Sequence, residues 1–503
     1  MGQYRIEVRV RMLECNEAAE INPTRLENDS FGIVISEADA VSIDRCENAV
    51  LRTAYPAMRE ALSEHLSGVS EKKALENAHS SEIIVNSRQY RVDGEVGRFE
   101  FKTHIVDDGD KGQYNTICDL FSELSSREYY RTVGFKEVAM IYGDTEQSYS
   151  KTAAFINRIR YQTEGGTPYR TLRENTQAEG AELIIHIEEK TRVILQQEGF
   201  SEDGTCLEHK EAYIETQPAT LSVVQVTEAI EKDQRGSEAD EDILQNPVSY
   251  EDPEETVNIT IDDVCVKKQK ETREKQRAPK KEKRQSVNNT IVHVEKGGRS
   301  YRLNGYGSKA TLCFLIAFIL NNDLIGYRFQ FFTDGHEALN ATILKMFSWY
   351  KNIGIILDWY HLEKKCKELL SMAMKGRVVR NEVLNKLLPL LWLGMTAKAI
   401  AYLQEVPGSL IKDPGVMEKL MKYLKCNTPY IPCYAVRKKL GLRNSSTIGE
   451  KMNDLIVSDR QKNNGMSRSK SGSVALASRT ALKLNNEYGK WLEERDIEFK
   501  LAA

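Results

Sequence analysis

Apolar and polar positions alternate in Gln3-Tyr4-Arg5-Ile6-Glu7-Val8-Arg9-Val10, which predicts a half-buried strand near the start of the chain. A second β-like run follows at Phe31–Val34, and Ala49–Leu66 has helical spacing. From Arg127 to Tyr142 the apolar positions recur at helical intervals through Tyr130, Val133, Val138 and Ile141. Gly143-Asp144 ends that run, and a second helix is predicted over Ser148–Tyr161, a third over Gln177–Gln197. The pattern beyond residue 255 is more regular. Strands are predicted at Val257–Val266, Thr290–Glu295 and Ser300–Leu303, the last two joined as a hairpin across Gly297-Gly298. A helix (Lys309–Asn321), a strand (Tyr327–Thr333), a helix (Glu337–Tyr350), a strand (Ile353–Asp358) and a helix (Leu362–Met374) follow. This order is that of an α/β layer fold. Helical spacing then continues to about Leu424, broken at Pro389, Pro407 and Pro414, and resumes at Thr447–Gln461 and Val474–Glu487.

Charge divides the chain further. The overall net charge is −4, which by itself favours no partner. Glu228–Glu255, however, holds eleven acids against two bases, little apolar content, and Gly236, Pro247 and Pro253. Such a segment buries too little surface to offset its chain entropy, so it is expected to be a linker. Lys267–Arg284 and Lys438–Lys483 each hold ten bases against three acids. Two basic stretches on a near-neutral chain suit a polyanion, although solvated surface accounts for either stretch taken alone. The expected organisation is a mixed region 1–120, a helical region 121–226, an acidic linker 227–255, an α/β part 256–368, a helical insertion 369–444 and a C-terminal part 445–503.

At 503 residues the chain has room for several domains. Its longest apolar run, about Ala310–Leu320, is shorter than the ~20 residues of a membrane span, and no basic-then-apolar leader opens it, so a cytoplasmic protein without a membrane partner is expected. The nine cysteines include no C-x-x-C pair; the closest two, Cys426 and Cys433, are spaced too widely for a usual zinc site, and free thiols are expected.

Candidate chemistry lies in the α/β part. The β-branched run Ile259-Thr260-Ile261-Asp262-Asp263-Val264 carries adjacent acids, and the apolar Phe331-Phe332-Thr333 ends on Asp334-Gly335. Strand-borne carboxylates at one sheet edge suit magnesium or manganese, which take hard oxygen ligands. Either acid alone also reads as a strand-end or turn residue. In the helical region, two short helices flank a Gly-containing turn, and the second presents Ser150, Lys151, Asn157, Arg158 and Arg160. A helix-turn-helix DNA-binding unit and an ordinary helical hairpin fit that pattern equally well.

Taken in order, Asp262, Asp334-Gly335, Asp358-Trp359-Tyr360-His361, a long helical insertion and a helix opening on Gly449-Glu450 resemble the RNase H-like catalytic core of DDE-class insertion-sequence transposases, closest to the ISKra and ISLre types. The basic Val266-Lys267-Lys268-Gln269-Lys270 and the run Asn464-Gly465-Met466-Ser467 with Ser469, Lys470 and Gly472 add to the resemblance, which covers about 255–485. It implies a mixed-sheet core interrupted by an all-helical insertion, with Asp262, Asp334 and Glu450 as a catalytic triad holding two Mg²⁺ or Mn²⁺ ions. Asp358 and His361 would support the site. Double-stranded DNA at the element's ends and at the target would be the partner, held by Lys151, Arg158, Arg160, Lys267, Lys268, Lys270, Lys462 and Lys470. A homodimer or larger synaptic complex in the cytoplasm, at the nucleoid, is implied as well. The chain departs from the family pattern at Asp263, where a small residue is usual, and at Arg468, where tryptophan is usual. Asp263 thus stays a rival to Asp262. Another RNase H-like nuclease and a non-catalytic DNA-binding derivative are the alternative functions. The aromatics Trp349, Tyr350, Trp359 and Tyr360 are expected in the core rather than on a base-stacking surface.

Overall fold

A computed structural model describes residues 42–78, 83–107, 129–143, 148–162, 164–214, 250–269, 286–445, 451–462 and 468–501, with short pieces between. The chain divides into two compact units, one of Met1–Ala178 with Leu492–Arg495, the other of Glu179–Trp491 with Asp496–Ala503. That division falls inside the helix Tyr169–Gln197, and not at the acidic segment where composition suggests a boundary.

The first unit holds three short strands, β1 (Val10–Arg11), β2 (Thr24–Leu26) and β3 (Ser30–Gly32), and a long helix, Ile43–Ala78. An antiparallel hairpin of β4 (Ile83–Gly94) and β5 (Gly97–Asp107) forms the centre of a sheet ordered β6-β5-β4-β7, with β6 at Gln113–Asn115 and β7 at Tyr129–Arg131. Tyr90, Val92 and Phe101 alternate inward on the hairpin and pack with Leu66 of the long helix. Residues 127–131, helical by their sequence spacing, include the strand β7. Its residues Tyr129–Arg131 pair in parallel with Arg91–Asp93, and that ladder outweighs the local helical spacing. The helices Val133–Gly143 and Tyr149–Ile159 then pack through Phe135, Ala139, Ala153 and Ile156, with Leu172 of the helix Tyr169–Gln197 in the same cluster.

The second unit is built on five strands. β8 (Thr256–Lys267), β9 (Ser286–Lys296) and β10 (Arg299–Tyr306) run antiparallel, while β11 (Arg328–Thr333) and β12 (Ile353–Leu357) run parallel to β8. Their order is β10-β9-β8-β11-β12. Positive φ at Gly297 (+56°) and Gly298 (+78°) closes the β9–β10 hairpin, as a two-residue turn matched to strand twist requires. The helix Ser308–Asn321 follows β10 and is buried from Thr311 through Leu320, so it is apolar on all sides rather than striped. Phe329 and Phe331 of β11 meet Phe347 beyond the next helix, Glu337–Met346, at centroid distances of 6.1 and 5.2 Å.

Residues 369–444 form the helices Arg377–Trp392, Thr396–Gln404, Pro414–Asn427 and Tyr434–Lys439. Leu387, Leu391, Leu420 and Leu424 are fully buried in one cluster with Phe332, Ile356 and Leu357 of the sheet and Leu362 of the helix Trp359–Ala373. Burial of roughly 1.5–3 kcal/mol per such side chain fixes these helices on the sheet. Leu403 is buried there too, with Leu388 and Trp392 partly buried against the cluster. Pro414 opens a helix, whereas Pro389 lies inside Arg377–Trp392 rather than at a corner. Only the last turn of that helix follows it, so few backbone bonds are disturbed.

The C-terminal edge of the acidic segment is not linker. Tyr250 packs with Cys433, Ala435, Val436 and Leu442, and the buried Glu251 receives two bonds from the fully buried Arg437, at 2.6 and 2.5 Å. Arg437 also donates to the Arg443 carbonyl. Late in the chain, helical residues 451–461 contain a π-helical stretch, Asp454–Ser458, and the helix Lys470–Leu484 follows. Gly180 allows the helix Tyr169–Gln197 to lie against Ala475; a Cβ there would collide with that residue. No helix among the described residues is long and apolar enough to cross a membrane. The seven described cysteines are free thiols.

Removing one member of a buried ion pair leaves the other charge uncompensated. Glu251→Ala is therefore expected to lower unfolding stability by about 3–5 kcal/mol in urea titrations, and a loss below 1 kcal/mol would show that the pair contributes little. A second expectation concerns acid. His293 on β9 is buried, beside Arg302, and burial first and that cation second push its pKa down to about 4. Its unfolded value is about 6.5. Between these values the unfolded chain binds the extra proton, so stability is full above about pH 6.5 and falls as pH drops toward 4, by about 3 kcal/mol in all. His293→Phe should flatten that part of the stability-pH curve; an unchanged acid slope would assign the loss to other groups.

Candidate active site

Strand register brings the first two acids together. Parallel β8 and β11 pair Thr260 with Phe332. Carried two residues on, that register sets Asp262 level with Asp334, just past the end of β11, on the same face, because side chains alternate with period two. Asp262 lies within β8, half-buried, and its neighbour on β9 is Ile291. Asp334 follows the end of β11, also half-buried. Burial raises the Asp262 pKa to about 6, the nearby His361 opposes that shift, and the Asp334 carboxylate adds to it. These effects put the two acids and the histidine within one electrostatic neighbourhood.

Of the adjacent acids, Asp263 turns away. It is exposed and accepts a hydrogen bond from the Thr290 hydroxyl across the strand pair. The Asp262 carboxylate instead accepts from its neighbour's backbone N–H at 2.8 Å and from the Asn453 amide at 2.6 Å. Asn453 belongs to the helical residues 451–461, three positions after Glu450. Glu450 itself lies outside the described residues, as does Lys270.

The turn after β11 is shaped for Asp334. Its carboxylate accepts from the His336 N–H at 2.9 Å, and its carbonyl accepts from the Tyr423 hydroxyl at 3.1 Å. Gly335 has φ +78°, and a Cβ there would lie 2.8 Å from Leu357 Cδ1 and 2.9 Å from Asn427 Oδ1. Glycine is needed on both counts. Asp358 follows the end of β12, fully buried, and caps the helix Trp359–Ala373 by accepting from the N–H groups of Tyr360 (2.7 Å) and His361 (3.2 Å). It thereby fixes the backbone that carries His361. Asp334 and His361 open on a cleft of about 760 Å³ between that helix and the insertion helix Pro414–Asn427.

Asp262 and Asp334 carry hard oxygens of the kind that suits a magnesium-type ion, whose charge would relieve their repulsion. Among the described residues, no three His, Cys, Asp or Glu side chains are close enough to hold a metal ion.

The basic residues separate into groups. Lys151 and Arg158 are exposed on the helix Tyr149–Ile159 of the first unit. Arg160, expected beside them, is buried, with its guanidinium 5.8 Å from the centre of the Phe135 ring and its pKa lowered to about 10 by burial. The helix ends at Ile159 and the chain turns inward, where Arg59 binds the Arg160 carbonyl at 2.9 Å. Asn157 is likewise committed, its amide exchanging bonds with the Thr167 backbone. In the second unit, Lys267 and Lys462 are exposed, Lys268 is half-buried, and Lys470 is exposed with its ammonium 3.5 Å from the Tyr306 ring centre.

Trp349 and Tyr350 are buried and Trp359 packs against Trp392 and Tyr434, but Tyr360 is 42% exposed. Its first-turn position points it to solvent rather than to the core. Sequence reasoning missed Asn453 and Tyr423. Neither belongs to an acid motif; the only signal for Asn453 was its place one helical turn beyond Glu450.

No protein-family description matches the chain, and no curated protein matches it. Among solved structures, the Drosophila P element transposase strand transfer complex aligns over 73% of this chain and 88% of that one, at 12% identity and a TM-score of 0.17. A superposition of that quality carries no argument about fold or chemistry.

Gly335→Ala combines a left-handed backbone with a blocked Cβ position. It should cost about 1–3 kcal/mol in thermal or urea unfolding, whereas Gly408→Ala, with open space around it, should change stability by less than about 0.5 kcal/mol. Equal effects at the two glycines would remove the special constraint on the Asp334 turn.

Proposed function

We propose that the chain is a DDE-class DNA transposase with an RNase H-like core, cutting and joining DNA strands by metal-dependent phosphoryl transfer. The observation that carries this reading is the parallel register of β8 and β11, which sets Asp262 on β8 beside Asp334 just past the end of β11. The sheet supports it: three antiparallel strands, then two parallel strands added beside the first, in the order β10-β9-β8-β11-β12. The helical insertion and the C-terminal helices packed back on that sheet fit the same architecture.

In this reading Asp262 and Asp334 hold Mg²⁺ or Mn²⁺, with Glu450 as the third acid. When bound, two such ions supply an activated nucleophile and charge stabilisation at the leaving oxygen. The chain's own residues orient the donors. Asn453 fixes one Asp262 oxygen, Tyr423 and the Gly335 turn fix the Asp334 backbone, and Asp358 sets the helix that brings in His361. Lys267, Lys268, Lys462 and Lys470 would neutralise phosphates near the core, and Lys151 and Arg158 would contact the element's terminal repeats. Work on two DNA ends calls for a homodimer or larger assembly.

Asp262→Asn and Asp334→Asn should each reduce magnesium-dependent nicking of supercoiled plasmid by about a thousandfold, the equivalent of ~4 kcal/mol of transition-state stabilisation. Glu450→Gln should do the same. Asp263→Asn should stay within threefold of the parent, because its carboxylate faces Thr290. Parent-level nicking by Asp334→Asn, or a thousandfold loss in Asp263→Asn, would overturn the assignment.

A further inference from the structure

We propose that the cleft beside Asp334 is a binding site for an unpaired polynucleotide strand, a proposal that rests on reading Asp334 as part of the active site. Two lysines enter it from each wall: Lys364 and Lys365 from the helix Trp359–Ala373, Lys419 and Lys422 from the insertion helix Pro414–Asn427. All four are exposed. Lys367, on the outer side of the same helix, is paired with Glu363 at 2.5 Å. Among the described residues none of the four cleft lysines has an acid within salt-bridge distance, and Lys364 has its ammonium 5.7 Å from the centre of the Tyr360 ring. Glu337 and Glu368 also line the cleft, so the cations are interspersed with acids rather than forming a uniform field. Ammonium groups held by no carboxylate on two facing helices are suited to successive phosphates of one backbone.

The remaining wall chemistry argues for bases rather than for a free anion. Tyr430 is half-buried at the cleft, and Leu344 lines it while 43% exposed. An aromatic ring and an apolar side chain beside cations match single-strand sites, where base stacking accompanies backbone neutralisation. Size favours a strand inside the cleft over a duplex. A cleft of about 760 Å³ lies within the roughly 300–1,000 Å³ that enclose a compact ligand, far below what a double helix would occupy. Because Asp334 stands at its edge, a strand lying here would run directly away from the carboxylates. The insertion would then serve as one wall of a strand track as well as a brace for the sheet.

The test uses the full-length protein in EDTA, with a fluorescein-labelled oligothymidylate and a duplex of equal length as probes. A variant with Lys364, Lys365, Lys419 and Lys422 all changed to Gln should lose single-strand affinity at least about tenfold, and its log Kd should depend less steeply on log salt by about 0.7 for each phosphate no longer neutralised. Duplex affinity should stay within about twofold. Circular dichroism checks that the variant is folded; the four side chains are exposed, so folding is not at stake. Unchanged single-strand affinity, or an equal loss for duplex, overturns the proposal. Binding without divalent metal separates it from the catalytic reading. A parent that nicks DNA while the quadruple variant binds oligothymidylate normally sinks the cleft alone, and a parent that binds through these lysines but never nicks sinks the catalytic reading alone.

Discussion

The pairing register of β8 with β11 is the constraint on which the site depends. Side chains alternate along each strand, so a slip of one residue would send Asp334 to the face opposite Asp262 and bring a threonine into its place. Burial fixes the register. Val257, Ile259 and Ile261 on one face of β8 are each at most 1% exposed, and Val264 and Val266 on the other are at most 3% exposed. A slip would therefore exchange two packed faces, and the loss of several buried side chains at roughly 1.5–3 kcal/mol each far exceeds any local preference. β8 is also paired on both edges, antiparallel to β9 and parallel to β11. It cannot move without breaking two ladders.

Rigid strands alone leave the ends of the acids' segments loose, and polar joints from distant parts of the chain close them. Tyr423 and Asn427 of the insertion reach the carbonyls of Asp334 and Gly335. Tyr434 donates to the Leu357 carbonyl at 2.6 Å, at the end of the strand that precedes Asp358. Glu251, just ahead of β8, is held by Arg437 from the same insertion. The helices between β12 and the C-terminal part therefore act on β8, β11 and β12 in turn. Their apolar cluster supplies most of the energy, and these bonds supply position.

The strand and helix order of the second unit was legible in the sequence because both periodicities are strong there. Ile259 to Val264 reads as a strand whichever neighbours it finds, and Gly297-Gly298 marks the hairpin turn without tertiary help. The hairpin of β4 and β5 carries a comparable signal in the alternation of Tyr90, Val92, Phe99 and Phe101 about Gly94 and Gly97, although the strands predicted for the first unit did not include it. What sequence could not supply was direction. Lys151, Arg158 and Arg160 look alike on a helix wheel, but the helix ends at Ile159 and Arg160 enters the core. Composition misled at Tyr250 and Glu251 for a related reason: an acid in an acidic run looks solvated until an arginine 186 positions away is seen to enclose it. Asn453 is invisible for the same cause, since its partner Asp262 lies 191 positions earlier.

The two departures from the transposase pattern can be judged by where their side chains go. Asp263 occupies a position where a small residue is usual, and an extra carboxylate beside Asp262 would raise the local negative charge. Its side chain instead crosses to Thr290, on the face away from Asp334, and the Asp263 backbone N–H donates to Asp262. The substitution adds a cross-strand hydrogen bond. Arg468 stands where the resembled pattern has tryptophan. Its backbone N–H donates to the Lys267 carbonyl at 3.0 Å, and its own carbonyl accepts from the Gln269 N–H at 2.8 Å, extending the edge of β8 by a parallel bridge. Those bonds use main-chain atoms only, so they are available to any residue but proline. Arg468 is thereby held at the end of β8 by its backbone, whatever side chain stands there.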